Sequence, residues 1–264
     1  MNRIDKKFKE LNEKKEKALI TYIMAGDPDL KMTEKAVLAL EAGGADLIEL
    51  GVPFTDPLAD GPVIQKAASR GLKSKTDVAG IFKMVKRVRR KSEIPIILMS
   101  YYNPILQYGE KKFARHAIQS GVDGVIIPDL PAGESDSWPE VAKKMDLKTI
   151  FLLAPTSSHS RIKKVAEVSS GFIYYVALIG ITGAKLTITD EIRKKVKEIQ
   201  KESSLPVAVG FGISTPAEAD QISRGADGII VGSAIVRRFE ETPSPSLLPS
   251  LQKFVRSLKK ELYL

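Results

Sequence analysis

Cysteine is absent from the 264 residues. No disulfide framework, thiolate nucleophile or cysteine-held metal is therefore expected, and a reducing compartment fits. Histidine is scarce: His116 and His159 are the only two. Both fall in helical stretches away from strand ends, so surface roles are expected rather than metal ligation or a catalytic triad. Aromatic residues make up only 6% and do not interleave with the basic runs. The net charge of +9 is spread as lysines over many polar helix faces. That reads as a solvated surface, not a nucleic-acid interface, though positive potential helps to attract an anionic substrate. No apolar run approaches the roughly 20 residues of a membrane helix. The opening Met1-Asn2-Arg3-Ile4-Asp5-Lys6-Lys7 is too charged for a signal peptide. A soluble, cytoplasmic protein is the expectation.

What the chain does contain is alternation. Eight short apolar runs stand between longer amphipathic ones: Ala18–Met24, Ala45–Leu50, Pro95–Met99, Gly124–Ile127, Thr149–Leu153, Phe172–Val176, Pro206–Val209 and Gly228–Val231. Near-continuous apolar runs suit parallel strands buried on both faces. Helical spacing recurs between them, as in Ile81-Phe82-Met84-Val85-Val88 and Ile192-Val196-Ile199. Ile4, Phe8 and Leu11 mark an additional N-terminal helix able to plug a barrel floor. One turn repeats three times: Gly44-Ala45-Asp46, Gly121-Val122-Asp123 and Gly225-Ala226-Asp227, each leading into a strand. The glycines suit left-handed helix ends. The first strand ends in Ala25-Gly26-Asp27-Pro28, without the glycine fingerprint of a dinucleotide fold. The expected architecture is a (β/α)₈ TIM barrel in one domain, residues 1–264. Thr242–Ser246 is the one linker-like stretch, before a last helix at Leu251–Leu262.

Barrel active sites form at the C-terminal ends of the strands. Glu49 stands near such an end, an acid inside an apolar run. Burial raises a carboxyl pKa and makes it a candidate general acid–base near neutral pH. The alternative is a structural Glu paired with a buried base, but no basic residue lies within the eight runs. The following stretch, Gly51 to Pro62, is long for a βα connection and carries Asp56 and Asp60. Asp60 reads equally as a substrate ligand or as a cap for a helix starting at Gly61-Pro62. The seventh and eighth runs end in Gly210-Phe211-Gly212 and Gly232-Ser233. Loops there often bind phosphate through backbone N–H groups. Gly180-Ile181-Thr182-Gly183 after the sixth run offers a mobile cover. No lysine lies on a strand run, which argues against Schiff-base chemistry. Acid–base carbon chemistry on a phosphorylated substrate remains.

The whole segment Asp46-Leu47-Ile48-Glu49-Leu50-Gly51-Val52-Pro53-Phe54-Thr55-Asp56-Pro57-Leu58-Ala59-Asp60-Gly61-Pro62 resembles the signature of tryptophan synthase α chains. The likeness extends to Tyr22–Pro28, Met99–Pro104, Ile127–Pro131, Gly210–Ile213 and Gly232–Val236. It implies retro-aldol cleavage of indole-3-glycerol phosphate to indole and glyceraldehyde 3-phosphate. It implies Glu49 as acid–base, Asp60 as acceptor of the indole N–H, and Tyr174 as an active-site tyrosine. Gly183, Gly212, Gly232 and Ser233 would hold phosphate. Tyr22, Ile64, Met99, Leu130 and Phe211 would wall the indole pocket, and Thr182 would sit in the lid. An α₂β₂ assembly is implied, in which a β chain carries pyridoxal phosphate and receives the indole; this chain would carry no cofactor. Asp56, Asn103 and Pro131 fall in regions resembling the contact with that partner. One position departs from the family: Ala177 stands where a serine is common, three residues before the Gly180–Gly183 turn. Weaker activation by the partner is the expectation there. Two alternatives compete: another phosphate-binding barrel enzyme, such as indole-glycerol-phosphate synthase, which would want a strand-end lysine, and a non-catalytic barrel that only activates or scaffolds a partner.

Overall fold

A computed structural model describes residues 1–134, 137–177, 185–210 and 212–263. The first half runs α1 (Arg3–Lys14), β1 (Ala18–Met24), α2 (Leu30–Gly43), β2 (Leu47–Gly51), α3 (Pro62–Lys73), α4 (Val78–Val88), β3 (Ile96–Met99), α5 (Tyr102–Tyr108), α6 (Glu110–Ser120) and β4 (Gly124–Ile126). The second half runs α7 (Trp138–Lys144), β5 (Lys148–Ile150), β6 (Leu152–Leu153), α8 (His159–Val168), β7 (Ile173–Val176), α9 (Lys185–Glu202), β8 (Val207–Gly210), α10 (Pro216–Ser223), β9 (Gly228–Val231), α11 (Ser233–Glu241) and α12 (Ser244–Lys259).

All pairings within the sheet are parallel, in the order β5-β4-β3-β2-β1-β9-β8-β7-β6. The two outermost members are consecutive in the chain, separated only by Phe151, so the sheet wraps into a barrel. The fifth apolar run is thus one barrel stave with an interrupted ladder. The Phe151 carbonyl still accepts the Tyr174 N–H at 3.1 Å. Its first residue is Lys148, a base the sequence reading did not place on a strand. Lys148 sits at the N-terminal end and pairs with Asp5 at 2.8 Å, on the end of the barrel away from any strand-end chemistry.

Side chains alternate across each stave. On β2, Ile48 and Leu50 join the outer core against the helices, while Leu47 joins the interior cluster with Ala18, Ile20, Ile97, Phe172 and Ala208. Ile4, Phe8 and Leu11 of α1 pack into this same interior cluster and close the barrel floor. The repeated Gly-x-Asp turn has a clear mechanical use. Asp46, Asp123 and Asp227 each accept the backbone N–H of a residue at the start of the preceding strand, Leu19, Ile96 and Val207, at 2.8 Å in every case. Each carboxylate thereby ties two neighbouring staves across the helical connection between them. Gly44 and Gly121 take the left-handed conformation expected of helix ends (φ 105° and 93°). Gly225 does not; a Cβ there would instead lie 2.9 Å from Cγ of Arg193. The proline–serine stretch is not a linker: it forms the first turns of α12. Pro245 falls where the missing N–H has no helical partner anyway.

Candidate active site

The interior alternation that puts Leu47 on the barrel floor puts Glu49 one layer higher. Its register partners are Tyr22 on β1 and Ile97 on β3. Glu49 is fully buried. Neither carboxyl oxygen has a hydrogen-bond partner among the described residues. Desolvation alone pushes its pKa up to about 8, so at neutral pH it holds its proton.

Above Glu49 the barrel opens into a cavity of about 230 Å³. Glu49, Tyr22, Asp60, Ile64, Met99, Tyr174, Gly212, Gly232 and Ser233 all line it. The sequence reading had singled out every one of these, from six separate parts of the chain. Leu130 lies elsewhere, buried in the outer core. Thr182, Gly183 and Phe211 lie outside the described residues. Leu152, Val176 and Ile230 also line the cavity, and the sequence reading missed them. Val176 stands two residues beyond Tyr174, so strand alternation was the signal that placed it. Two glycines accommodate the two tyrosines. A Cβ on Gly51 would collide with the Tyr22 hydroxyl, and one on Gly210 would lie 2.7 Å from that of Tyr174. Burial raises both phenols well above their usual pKa, so both remain neutral.

Asp60 comes from the β2–α3 loop and is half-buried. The capping alternative fails: α3 has Gly61 at its N-cap, with no side-chain cap. Instead the carboxylate faces the Tyr101 hydroxyl across a small cavity, and the Asp60 backbone carbonyl accepts from Gln65 at 2.8 Å. Burial raises the Asp60 pKa to about 6, with the Tyr101 hydrogen bond pulling the other way. Two carboxyls in one cavity are therefore in opposite states at neutral pH, Glu49 protonated and Asp60 ionised. Such a split is what sets apart an acid from a charge stabiliser.

The opposite wall is made of backbone. α11 starts behind Gly232, which offers no side-chain cap, and its first turn opens on the cavity at Ser233. Gly212 adopts φ 57° and a Cβ there would meet nothing within 4 Å. A left-handed residue with open space around it is one only glycine fills without strain. A helix start with uncapped N–H groups attracts an anion. A larger cleft, about 550 Å³, lies at the other end of the barrel between α1 and the start of β8. Its acids are already engaged: Asp5 with Lys148, Glu16 with Lys259 at 3.2 Å, and Asp227 with the Val207 N–H. It has no unpartnered buried acid among its described lining residues, so the smaller cavity, with Glu49, is the candidate active site.

Asp56, Asn103 and Pro131 do not line the cavity. They lie on the loops and helix that follow β2, β3 and β4, with Asp56 and Asn103 at the surface. Among the described residues no group of three or more acidic or histidine side chains stands ready to hold a metal, and no helix is long and apolar enough to cross a membrane.

Residues 8–261 match the family model described as tryptophan synthase alpha chain. The chain belongs to the tryptophan synthase α chain family. It is 51% identical to the tryptophan synthase alpha chain of Geotalea daltonii, over 98% of both chains. It is 46% identical to that of a Thermoanaerobacter species, over 99% of this chain and 100% of the relative. Among solved structures, tryptophan synthase subunit alpha from Legionella pneumophila superposes with a TM-score of 0.91 at 38% identity, over 99% of this chain and 98% of that one. A Mycobacterium tuberculosis tryptophan synthase chain gives 0.90 at 34%, over 100% and 99%. As a tryptophan synthase α chain it is a carbon–carbon lyase that cleaves indole-3-glycerol phosphate in tryptophan biosynthesis. Family membership also implies a β-chain partner.

Proposed function

We propose that Glu49 and Asp60 divide the retro-aldol cleavage between them, and the observation that carries this is their opposite protonation in one cavity. Protonated Glu49 delivers its proton to the indole ring carbon that bears the glycerol phosphate chain. The ring becomes cationic, and the Asp60 carboxylate stabilises that charge while accepting the indole N–H. Glu49, now an anion in an apolar wall, is a strong base. It takes the proton of the side-chain hydroxyl next to the ring. The carbon–carbon bond breaks, its electron pair returns to the ring, and the hydroxyl carbon becomes the aldehyde of glyceraldehyde 3-phosphate. Glu49 ends protonated, as it began, so the cycle consumes no net proton. Tyr174 and Tyr22 flank the ring as neutral phenols, with Ile64 and Met99 supplying apolar wall.

Gly212, Gly232 and Ser233 bind the phosphate through backbone N–H groups and the Ser233 hydroxyl. Gly183, Thr182 and Phe211 are assigned phosphate, lid and pocket roles by family resemblance alone. The polypeptide forms one barrel unit over residues 1–264, works in the cytoplasm, and assembles as α₂β₂ through the surface bearing Asp56, Asn103 and Pro131. Pyridoxal phosphate resides in the β chain, which consumes the indole. The test is indole release by Glu49→Gln and Asp60→Asn in the presence of the β chain. Glu49→Gln keeps the shape but shuttles no proton, so loss well beyond the ~10²–10⁴-fold of a single proton role is expected. Near-normal release by either variant removes that residue from the mechanism. A non-catalytic scaffold would show no loss with either.

A further inference from the structure

The Met99–Pro104 segment carries a residue to which no chemistry has been given. Tyr101 directly follows β3 and is buried. Its ring lies 5.3 Å from that of Phe54, in the loop after β2. Its hydroxyl accepts the Ala59 N–H at 2.8 Å and faces the Asp60 carboxylate, whose ionised form it favours. A phenol has one proton to give and lone pairs to receive. The Ala59 amide can only donate, so the Tyr101 proton is left to turn toward the Asp60 carboxylate. One tyrosine thus holds the loop at three successive points: a ring on Phe54, an amide at Ala59 and a carboxylate at Asp60.

We propose that Tyr101 is a positioning residue for the cleavage reaction, clamping the Ala59–Asp60 segment so that one carboxylate oxygen is held by the phenol and the other is presented to the indole N–H. This rests on the reading of Asp60 as the acceptor of that N–H. Gln65 and Pro57 hold the Asp60 backbone, but among the described residues Tyr101 is the one group that favours its ionised carboxylate. Among the described residues, the titratable groups facing Asp60 are Glu49 from β2, Tyr22 from β1, Tyr174 from β7 and Tyr101 itself. All four are neutral at neutral pH, since burial raises Glu49 to about 8 and Tyr101 to about 12, and holds the Tyr22 and Tyr174 phenols well above their usual value. No lysine or arginine lines the cavity among the described residues. The Tyr101 hydrogen bond is the one described contact that favours the ionised form of Asp60.

The test measures the pH dependence of kcat/KM for indole-3-glycerol phosphate, with the full chain bound to its β chain. Tyr101→Phe keeps the ring against Phe54 and removes only the hydroxyl. The rising limb set by Asp60 should move upward by about one pH unit, because a hydrogen bond to the charged form is lost. The loss in kcat/KM should then be several-fold deeper at pH 6 than at pH 7.5. Affinity for glycerol 3-phosphate, a probe of the phosphate wall only, should stay within about twofold. In an Asp60→Asn background, Tyr101→Phe should add less than about twofold, since the two act as one unit. An unshifted limb with equal loss at every pH, or a parallel fall in glycerol 3-phosphate affinity, makes Tyr101 merely structural and overturns the proposal. Replacing Tyr101 with 3-fluorotyrosine tests the same point without removing the hydroxyl: a stronger donor should lower the limb, and a rise overturns the proposal. If Asp60→Asn itself retains full activity, the reading of Asp60 fails and the inference falls with it. If Asp60→Asn is inactive while Tyr101→Phe behaves as wild type, only the inference fails.

Discussion

Glu49 costs the fold something in return for its chemistry. In the folded chain it keeps its proton to about pH 8, against an ordinary value of 4.5. Between those limits the folded state binds the extra proton, so stability falls as pH rises through the window. Glu49→Gln removes the titrating group while keeping the shape. Its urea midpoint should therefore overtake that of the wild type progressively from pH 5 to pH 8.5, even as cleavage is lost; parallel midpoints across that range would mean Glu49 is solvated. The rate should follow the same two groups. The proposed division of roles needs ionised Asp60 and protonated Glu49, so kcat/KM should be bell-shaped with limbs near pH 6 and pH 8. A profile flat between pH 5 and pH 9 would sink the division of roles. Glu49 was legible in the sequence because an acid in an apolar run has few explanations. Asp60 was legible only through the family resemblance, because by spacing alone a carboxylate before Gly-Pro fits a helix cap equally well. Tyr101 was invisible in role, since its partners Ala59 and Asp60 lie 42 and 41 positions away in the chain.

Between residue and barrel stands the βαβ element, held by the Asp46, Asp123 and Asp227 clamps. The three are not equivalent. Asp123 is buried and also bonds Arg89 at 2.8 Å and Arg3 at 3.0 Å. Arg89 is itself largely buried. Asp123→Ala would leave that guanidinium without its carboxylate, at a cost of roughly 3–5 kcal/mol. Asp227 is only half-buried, and its other partner is the neutral Gln200 at 3.2 Å. Asp227→Ala should cost closer to one charged hydrogen bond, about 1.5–3 kcal/mol. Urea denaturation of both variants checks the order, and equal losses would show that the clamp bond, rather than the stranded arginine, dominates. The repeat Gly-x-Asp was plain in the sequence, but its meaning was only half legible. Glycine signals a helix end by local conformation, whereas an aspartate bonded 20 or 27 positions back is a tertiary fact. The same division explains the helix ends: two of the three repeat glycines are left-handed, and the third exists for the bulk of Arg193. The eight apolar runs mapped onto the staves because burial on both faces leaves a strong mark. Their edges shifted by a residue or two, and the break at Phe151 left no mark at all.

At the scale of the whole molecule, the barrel presents two unlike ends. The floor is sealed by α1. The opposite rim carries the cavity and two apolar side chains in the open: Leu58 is 93% exposed in the β2–α3 loop, and Leu106 is 48% exposed on α5. These elements are knitted together underneath. Tyr101 bonds Ala59, and the Tyr102 N–H donates to Asp129 after β4 at 2.9 Å. A rigid rim with exposed apolar groups marks a protein-binding surface, and Asp56 and Asn103 belong to the same loop and helix. Tyr263, 60% exposed, serves as the contrast. It bridges to Glu16 near the barrel floor. If the β chain docks on the rim, Leu58→Asp and Leu106→Asp should each weaken its binding by about tenfold or more, the loss expected when a charge enters a buried contact. Tyr263→Asp should leave affinity within about twofold, as a change outside the contact would. Neither leucine packs into the core clusters, so melting temperatures of the isolated chains should hardly move. Titration of each variant with the β chain, followed by calorimetry, measures this. Equal affinity for the rim variants and the wild type would move the partner off this face, and a Tyr263 effect matching theirs would place it at the floor instead.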